Sequence, residues 1–256
     1  MEPAESLLTG LKEESAGMLD RHQVCLTPTL GKRVALDLDV APFDNSNTKK
    51  EGVGRTYKGY DGYAPMFAYL GEEGYLVNVE LRPGKQHCQK ETPAFLRETI
   101  RLARLITDET LLTRMDSGND ALENLSVLEA EEGVDYIIKR NLRREDPQAW
   151  WALAKEEGEQ QPARPGKVVY RGATTRQKTL TIDGQKVTRA IRCVYQVMER
   201  TITAKGQHLL LPDIEVETYW TSLDHEPDII IEQYHQHGTS EQYHTEIKTD
   251  MDLERF

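Results

Sequence analysis

An α/β fold is what this sequence predicts, and three observations carry it. Val34, Leu36, Leu38 and Val40 alternate with Ala35, Asp37 and Asp39, the period-two pattern of a strand over Arg33 to Val40. Phe95, Leu96, Thr99, Ile100, Leu102, Ala103 and Ile106 recur at helical spacing behind the Thr92-Pro93 pair, which predicts an amphipathic helix over Pro93 to Thr107. Beyond residue 166 the chain becomes rich in Val, Ile, Thr, Tyr and Arg, with an Asp183-Gly184 turn, and so predicts β hairpins.

The remaining elements follow in order. Residues 1 to 30 are polar, with a short amphipathic piece around Leu7 to Leu11 and a connector at Thr27-Pro28-Thr29. The alternation in the first strand puts Asp37 and Asp39 on one face, where they repel each other unless a cation sits beside them. Asp39, at the strand's end, also reads as a turn-capping residue. Two apolar runs, Ala64 to Leu70 and Tyr75 to Leu81, flank Gly71-Glu72-Glu73-Gly74 and predict a hairpin. A short strand over Leu111 to Met115 ends in Asp116-Ser117-Gly118-Asn119-Asp120, where Asp116 is at least a turn former. Ala121 to Ala130 reads as a helix and Val134 to Lys139 as one more strand. Trp150-Trp151, near a helix, reads as core. EEGEQQPARPG, residues 156 to 166, is the best boundary, and the predicted strands beyond it are Lys167 to Gly172, Thr179 to Ile182, Lys186 to Thr203 and Leu209 to Leu223.

Composition narrows the class. A chain of 256 residues buries a sizeable core. Cys25, Cys88 and Cys193 are scattered and odd in number, which argues against a disulfide scaffold or structural zinc. The acidic first thirty residues are unlike a signal peptide and no apolar run reaches membrane-spanning length, so the cytoplasm is the expected location. Net charge is −11, against nucleic-acid binding, yet Arg164 to Lys205 holds ten Lys or Arg against two acids, a local +8 that leaves −19 on the remainder. That polarity suggests a basic segment for DNA on an acidic body; a solvated basic face is the plainer reading.

Near the C-terminus, Gly238-Thr239-Ser240 predicts a helix starting at Thr239 or Ser240, with Tyr234 and His237 on the loop before it. Glu241, His244 and Lys248 then share one face, a polar stripe suited to an anionic site. Four of the seven histidines fall between His225 and His244, and Glu241 and His244 have the i, i+3 spacing of a di-iron helix. A second Glu-x-x-His is absent and there is no HExxH, which leaves zinc or di-iron hydrolysis as a minor alternative.

The spacing of Tyr234, His237, Glu241 and Lys248 matches at every gap the Tyr, Arg or His, Glu, Lys signature of DDE-class insertion-sequence transposases. Together with HGTSEQYHTEIKTDMD, RMDSGND and the DNSNTKK to VELR stretch, the chain resembles one branch of that class from about Arg33 to Phe256. His237 stands where the pattern often has Arg. The resemblance implies a ribonuclease-H-like core over residues 33–155, a basic β-rich insertion over 156–223, and a segment over 224–256 whose helix returns the catalytic Glu and completes the core; residues 1–32 would be a remnant or connector. It implies Asp39, Asp116 and Glu241 as catalytic and metal-ligating residues, with Asp37 and Glu246 outside the ligand set. Two Mg²⁺ ions are implied, with Mn²⁺ as a substitute. It further implies double-stranded DNA as partner, both the terminal inverted repeats and the target, with a dimer on the DNA as an option and no membrane. The setting would be the bacterial cytoplasm, on the nucleoid.

Contacts to DNA are then expected from Tyr234, His237 and Lys248, from Arg171, Arg189 and Arg192 in the basic segment, and from Trp220 as a platform for an unpaired base. The chemistry suits those residue types, since two divalent ions about 4 Å apart can bind both the attacking and the leaving oxygen of a phosphodiester. Members of the resembled class carry further N-terminal and C-terminal regions, so the chain reads as shortened at both ends. A truncated remnant or a DNA-binding regulator without cleavage is therefore the rival to an active enzyme.

Overall fold

The computed structural model describes residues 3–203, 205–251 and 253, with side chains for all of these except 3–5, 162 and 239–241. Its centre is a nine-stranded mixed sheet. Five strands form the first half: β1 (Val34–Val40), β5 (Met66–Leu70), β6 (Tyr75–Glu80), β7 (Leu111–Met115) and β8 (Val134–Lys139). They lie in the order β6-β5-β1-β7-β8, with β5 antiparallel to β1 and with β7 and β8 parallel to it. This is the ribonuclease-H-like arrangement. A smaller three-stranded sheet, β2 (Phe43–Asp44), β3 (Gly54–Arg55) and β4 (Asp61–Tyr63), fills the excursion between β1 and β5.

Helices cover one face because their apolar stripes need it. α1 (Pro3–Arg21), α2 (Thr92–Ala103), α3 (Leu122–Leu128) and α4 (Pro147–Glu157) pack in sequence, and Phe95, Leu96, Ile100 and Ala103 of α2 join Leu36, Leu38, Met66 and Leu70 in the main core. The first helix is far longer than the piece expected around Leu7 to Leu11. It is held from outside by Lys12 on Glu98 at 2.7 Å and by Glu13 on Arg101 at 2.7 Å.

The basic segment does not form a separate layer. β9 (Glu159–Pro162), β10 (Lys167–Ile182), β11 (Gln185–Ile202) and β12 (His208–Thr221) extend the same sheet, with β12 antiparallel to β8 through Tyr219↔Lys139 and Trp220↔Ile138. Where two short strands were expected before the Asp183-Gly184 turn, β10 is one run of 16 residues. Gly172, which reads as a break, is there because the Tyr195 hydroxyl lies 2.3 Å from where its Cβ would stand.

The C-terminal helix begins earlier than expected. α5 (Pro227–His235) continues through a 3-10 turn (Gln236–Thr239) into α6 (Ser240–Thr245) and a π-helical turn (Glu246–Asp250). Tyr234 and His237 are therefore on helix, not on a preceding loop. Pro227 at the first turn is the start signal, and Gly238 does not interrupt the run.

Candidate functional site

The site grows from two adjacent parallel strands. Leu38 of β1 pairs with Met115 of β7, so Asp39, still paired with Phe67 of β5, and Asp116, the first residue past β7, come next on adjacent strands, at the strand spacing of about 5 Å. One turn follows Asp116 (Ser117–Asn119), and Asn119 Nδ2 donates to Asp116 Oδ1 at 2.7 Å. A Cβ on Gly118 would stand 2.9 Å from Cys88 Sγ and 3.2 Å from Asp116 Oδ1, so only glycine leaves this carboxylate undisturbed. The Cys88 thiol donates to Gly118 O at 2.8 Å, and burial, with Asp116 nearby, pushes its pKa up. Cys88 thus packs under the loop.

One pair down the strand, Asp37 sits opposite Arg114 in the β1–β7 register. Arg114 Nε and Nη2 donate to both Asp37 oxygens at 2.6 and 2.7 Å, and both side chains are 2% exposed. His237 Nδ1 lies 3.1 Å from Asp37 Oδ1. Burial alone would raise the Asp37 pKa, but His237 and Arg114 together hold it below the usual carboxylate range. For His237, burial favours the neutral ring, and the Asp37 charge overrides it and raises the pKa. Arg114 Nη1 also donates to Gln233 O of α5 at 3.0 Å. This buried cluster therefore fastens the C-terminal helix to the two strands that carry Asp39 and Asp116.

A second set of contacts orients the end of that helix. Phe67 and Tyr69, paired with Asp39 and Asp37 across β5, pack on His244 at 5.4 and 5.5 Å, and Tyr69 meets Tyr243 at 5.1 Å. His244 Nδ1 lies 3.6 Å from Asp39 Oδ2, and burial, then Lys248 and His237, push its pKa down to about 4. Glu241 is three residues before His244 in α6, so its helical position is one turn from the residue that approaches Asp39. The Glu241 side chain itself lies outside the described residues. Among the described residues no group of three His, Cys, Asp or Glu gathers as a metal cage. Glu246 is exposed, and Asp37 is committed to Arg114 and His237.

Asp39 and Asp116 act on the same surroundings. Tyr57 is 71% exposed, yet lost solvation and then both carboxylates push its phenol up to about 12, and burial followed by Asp116 and Asp39 raises that of Tyr234. Beside Asp116 opens a cavity of about 490 Å³ lined by Arg55, Tyr57, Lys85 and His87.

Several residues expected to meet DNA are placed otherwise. His237 is 6% exposed and faces Asp37, because a buried carboxylate two residues from Asp39 needs a second cation. Trp220 is 2% exposed; its Nε1 donates to Asp120 Oδ1 at 2.9 Å and the Arg140 guanidinium lies 4.3 Å over its ring, so no face is open to a base. Arg171 pairs with Asp228 at 3.1 Å and Arg192 donates to Leu223 O and His225 O at 2.6 and 2.7 Å; both tie the sheet to the start of α5. Tyr234 packs on Tyr219 at 4.9 Å, and Lys248 Nζ donates to Pro42 O at 2.6 Å. Arg189 is exposed. Arg114 and Asp120 escaped sequence reading, although an Arg inside the apolar strand LLTRM was a signal that something acidic faces it.

A ribonuclease-H-like sheet with Asp39 near the end of β1, Asp116 just past β7 and a helix returning across them defines the fold class of this chain. The family model for the transposase DDE domain group 1 matches residues 9–256, and the chain belongs to that family. Among solved structures it is similar to the piggyBac transposase in a cryo-EM synaptic complex with hairpin DNA, at 12% identity and a TM-score of 0.43, over 85% of this chain. The match covers 40% of that protein's chain, well under half its length. No curated protein matches.

Proposed function

We propose that this chain is the catalytic core of a DNA transposase that cuts at element ends and joins the cut strand to target DNA. The observation that carries the reading is the in-step placing of Asp39 near the end of β1 and Asp116 just past β7, under a helix that has the Glu241 position one turn from the residue beside Asp39. Asp39, Asp116 and Glu241 would hold two divalent ions, Mg²⁺ with Mn²⁺ as a substitute, and their oxygen donors fit such hard cations. Bound there, the ions would supply activation of an attacking hydroxyl and neutralisation of a leaving oxygen.

The chain's own residues then have defined tasks. Asp37, Arg114 and His237 position the helix and leave the outer carboxylates uncommitted to that cluster. Tyr57 stays protonated beside both aspartates and can donate to a phosphate oxygen. Arg55, Lys85 and His87 offset the charge of a strand lying along the cavity. The partner in this reading is double-stranded DNA, element ends and target, met in the cytoplasm. No helix among the described residues is long and apolar enough to cross a membrane.

The test is cleavage of a labelled duplex ending in the element's terminal repeat, in Mg²⁺. Asp116→Asn and Glu241→Gln should remove cutting while binding in Ca²⁺ persists. Cutting retained by either variant would contradict the proposal. Wild-type protein that binds but never cuts would mark a regulator instead.

A further inference from the structure

A second charged site lies beyond the Asp116 loop, between the residues that follow β8, the start of α4 and the outer half of β10. Two adjoining cavities, of about 580 and 420 Å³, share Arg140, Glu145, Lys178 and Trp220 in their walls. The first is completed by Arg176 and Trp150, the second by Arg143, Arg144 and Asp120. Arg189, exposed, is the cross-strand partner of Lys178 and so stands on the same face of the hairpin.

Aromatic rings support these cations, and among the acids in the walls Glu145 pairs with Arg140. Arg140 lies 4.3 Å over Trp220 and 5.6 Å over Trp150, Arg176 lies 5.4 Å over Trp150, and Lys178 lies 4.8 Å over Trp220. Stacking of this kind holds a cation in place without cancelling its charge. Two of the three acids in the walls, Asp120 and Asp146, are engaged by other groups, and Glu145 is shared between Arg140 and an indole. Glu145 accepts from Trp150 Nε1 at 2.9 Å as well as from Arg140 at 2.5 Å, Asp120 accepts from Trp220 Nε1 and Asn141 N, and Asp146 caps α4 at Gln148 N. Arg140 is 8% exposed, and its Nε has no hydrogen-bond partner among the described residues. A nearly buried guanidinium with an unanswered N–H, ringed by further cations on a chain of net charge −11, is built for an anion with several oxygens.

We propose that this double cavity binds a phosphate of a DNA strand, with Arg140, Arg176 and Lys178 as the principal donors. Asp120, in its wall, is one short turn from Asp116, so the strand held here is the one whose neighbouring phosphate reaches the aspartates. The inference rests on the chain being a DNA-cutting enzyme and adds where the flanking strand is gripped. Trp150 and Trp220 serve as the floor under the cations, a role different from stacking on a base.

The experiment uses the full chain in Ca²⁺ with a fluorescein-labelled duplex carrying a short single-stranded thymidine 5′ flank, made with and without a 5′-phosphate. Arg176→Gln/Lys178→Gln, both on the open hairpin face, is compared with Lys186→Gln/Lys205→Gln, two exposed lysines outside the cavity walls. The cavity pair should weaken binding roughly tenfold or more and flatten the salt slope by about 1.4, two single-strand contacts, beyond the control pair. Wild-type tryptophan fluorescence should change on binding, and this change should disappear in the cavity pair. A loss confined to the 5′-phosphorylated probe assigns the site to a terminal phosphate; an equal loss on both assigns it to an internal diester. Cavity variants that bind no worse than the control pair would overturn the proposal. Such a result beside cutting that still needs Asp116 leaves the enzymatic reading standing, whereas cavity-dependent binding beside cutting indifferent to Asp116 removes that reading alone.

Discussion

Asp37 and Asp39 stand two residues apart on the same face of one strand and live under opposite conditions. Asp37 is 2% exposed, held by both arms of Arg114 and by His237. Asp39 has a side chain 21% exposed and approaches His244, a ring that its own surroundings keep neutral. The difference shows how a fold can concentrate negative charge where chemistry needs it. The inner carboxylate is neutralised and made structural, and the outer one, which accepts from Val40 N and faces the neutral His244, stands in step with Asp116. Buried pairs of the inner kind add little net stability against an apolar replacement, but losing one partner leaves an uncompensated charge.

The largest expected effect breaks the inner half. Arg114→Met, which strands Asp37 with His237 alone, should lower unfolding free energy by about 3–5 kcal/mol in urea titrations. A loss below about 1 kcal/mol would mean the cluster is replaceable and not the anchor of the C-terminal helix. Next is the outer half's packing. Gly118→Ala pushes on Cys88 Sγ and the Asp116 carboxylate, and should cost about 1–3 kcal/mol. Adding Cys88→Ala should restore part of that stability without restoring metal-dependent cutting, because the new methyl still meets Asp116.

Smaller, and diagnostic of the cation, is the pH dependence. His237 has its pKa raised above 6.5 in the folded chain, so its contribution is complete below that value and is lost as pH rises through the raised one. Urea midpoints should fall over that interval on the alkaline side, and His237→Arg should remove that part of the profile. A wild-type stability profile flat from about pH 6 to 9 would remove the charged ring from the account. Asp39→Asn in EDTA marks the lower end of the scale. It should move stability by less than about 1 kcal/mol, since functional carboxylates are held for chemistry and not for the fold.

Which of these features could be read in the sequence follows from how local they are. The alternation in VALDLDV put Asp37 and Asp39 on one face and required a cation beside them. Arg114 as that cation depends on the β1–β7 register, which no short window contains. The strands LLTRM and VDYIIK were legible because each is a single apolar run. β10 was not, because its outer half is polar and persists only through pairing with β11. The C-terminal helix was misplaced for a different reason: Gly238-Thr239-Ser240 carries a strong local start signal, and packing of Ile230, Ile231 and Tyr234 against the sheet overrides it. Trp220 and Arg192 share one lesson. Residue type suggested DNA, and burial or a backbone acceptor assigned them to structure.

The central claim is that Asp39 and Asp116 form a divalent-ion site while their neighbours do not. Thermal unfolding with and without Mg²⁺ or Mn²⁺ tests it without any DNA, because an ion that binds only the folded chain raises Tm. Wild type and Glu246→Gln should gain in Tm with either ion, and Asp39→Asn and Asp116→Asn should gain nothing. An ion-dependent rise that survives in both aspartate variants would contradict the account.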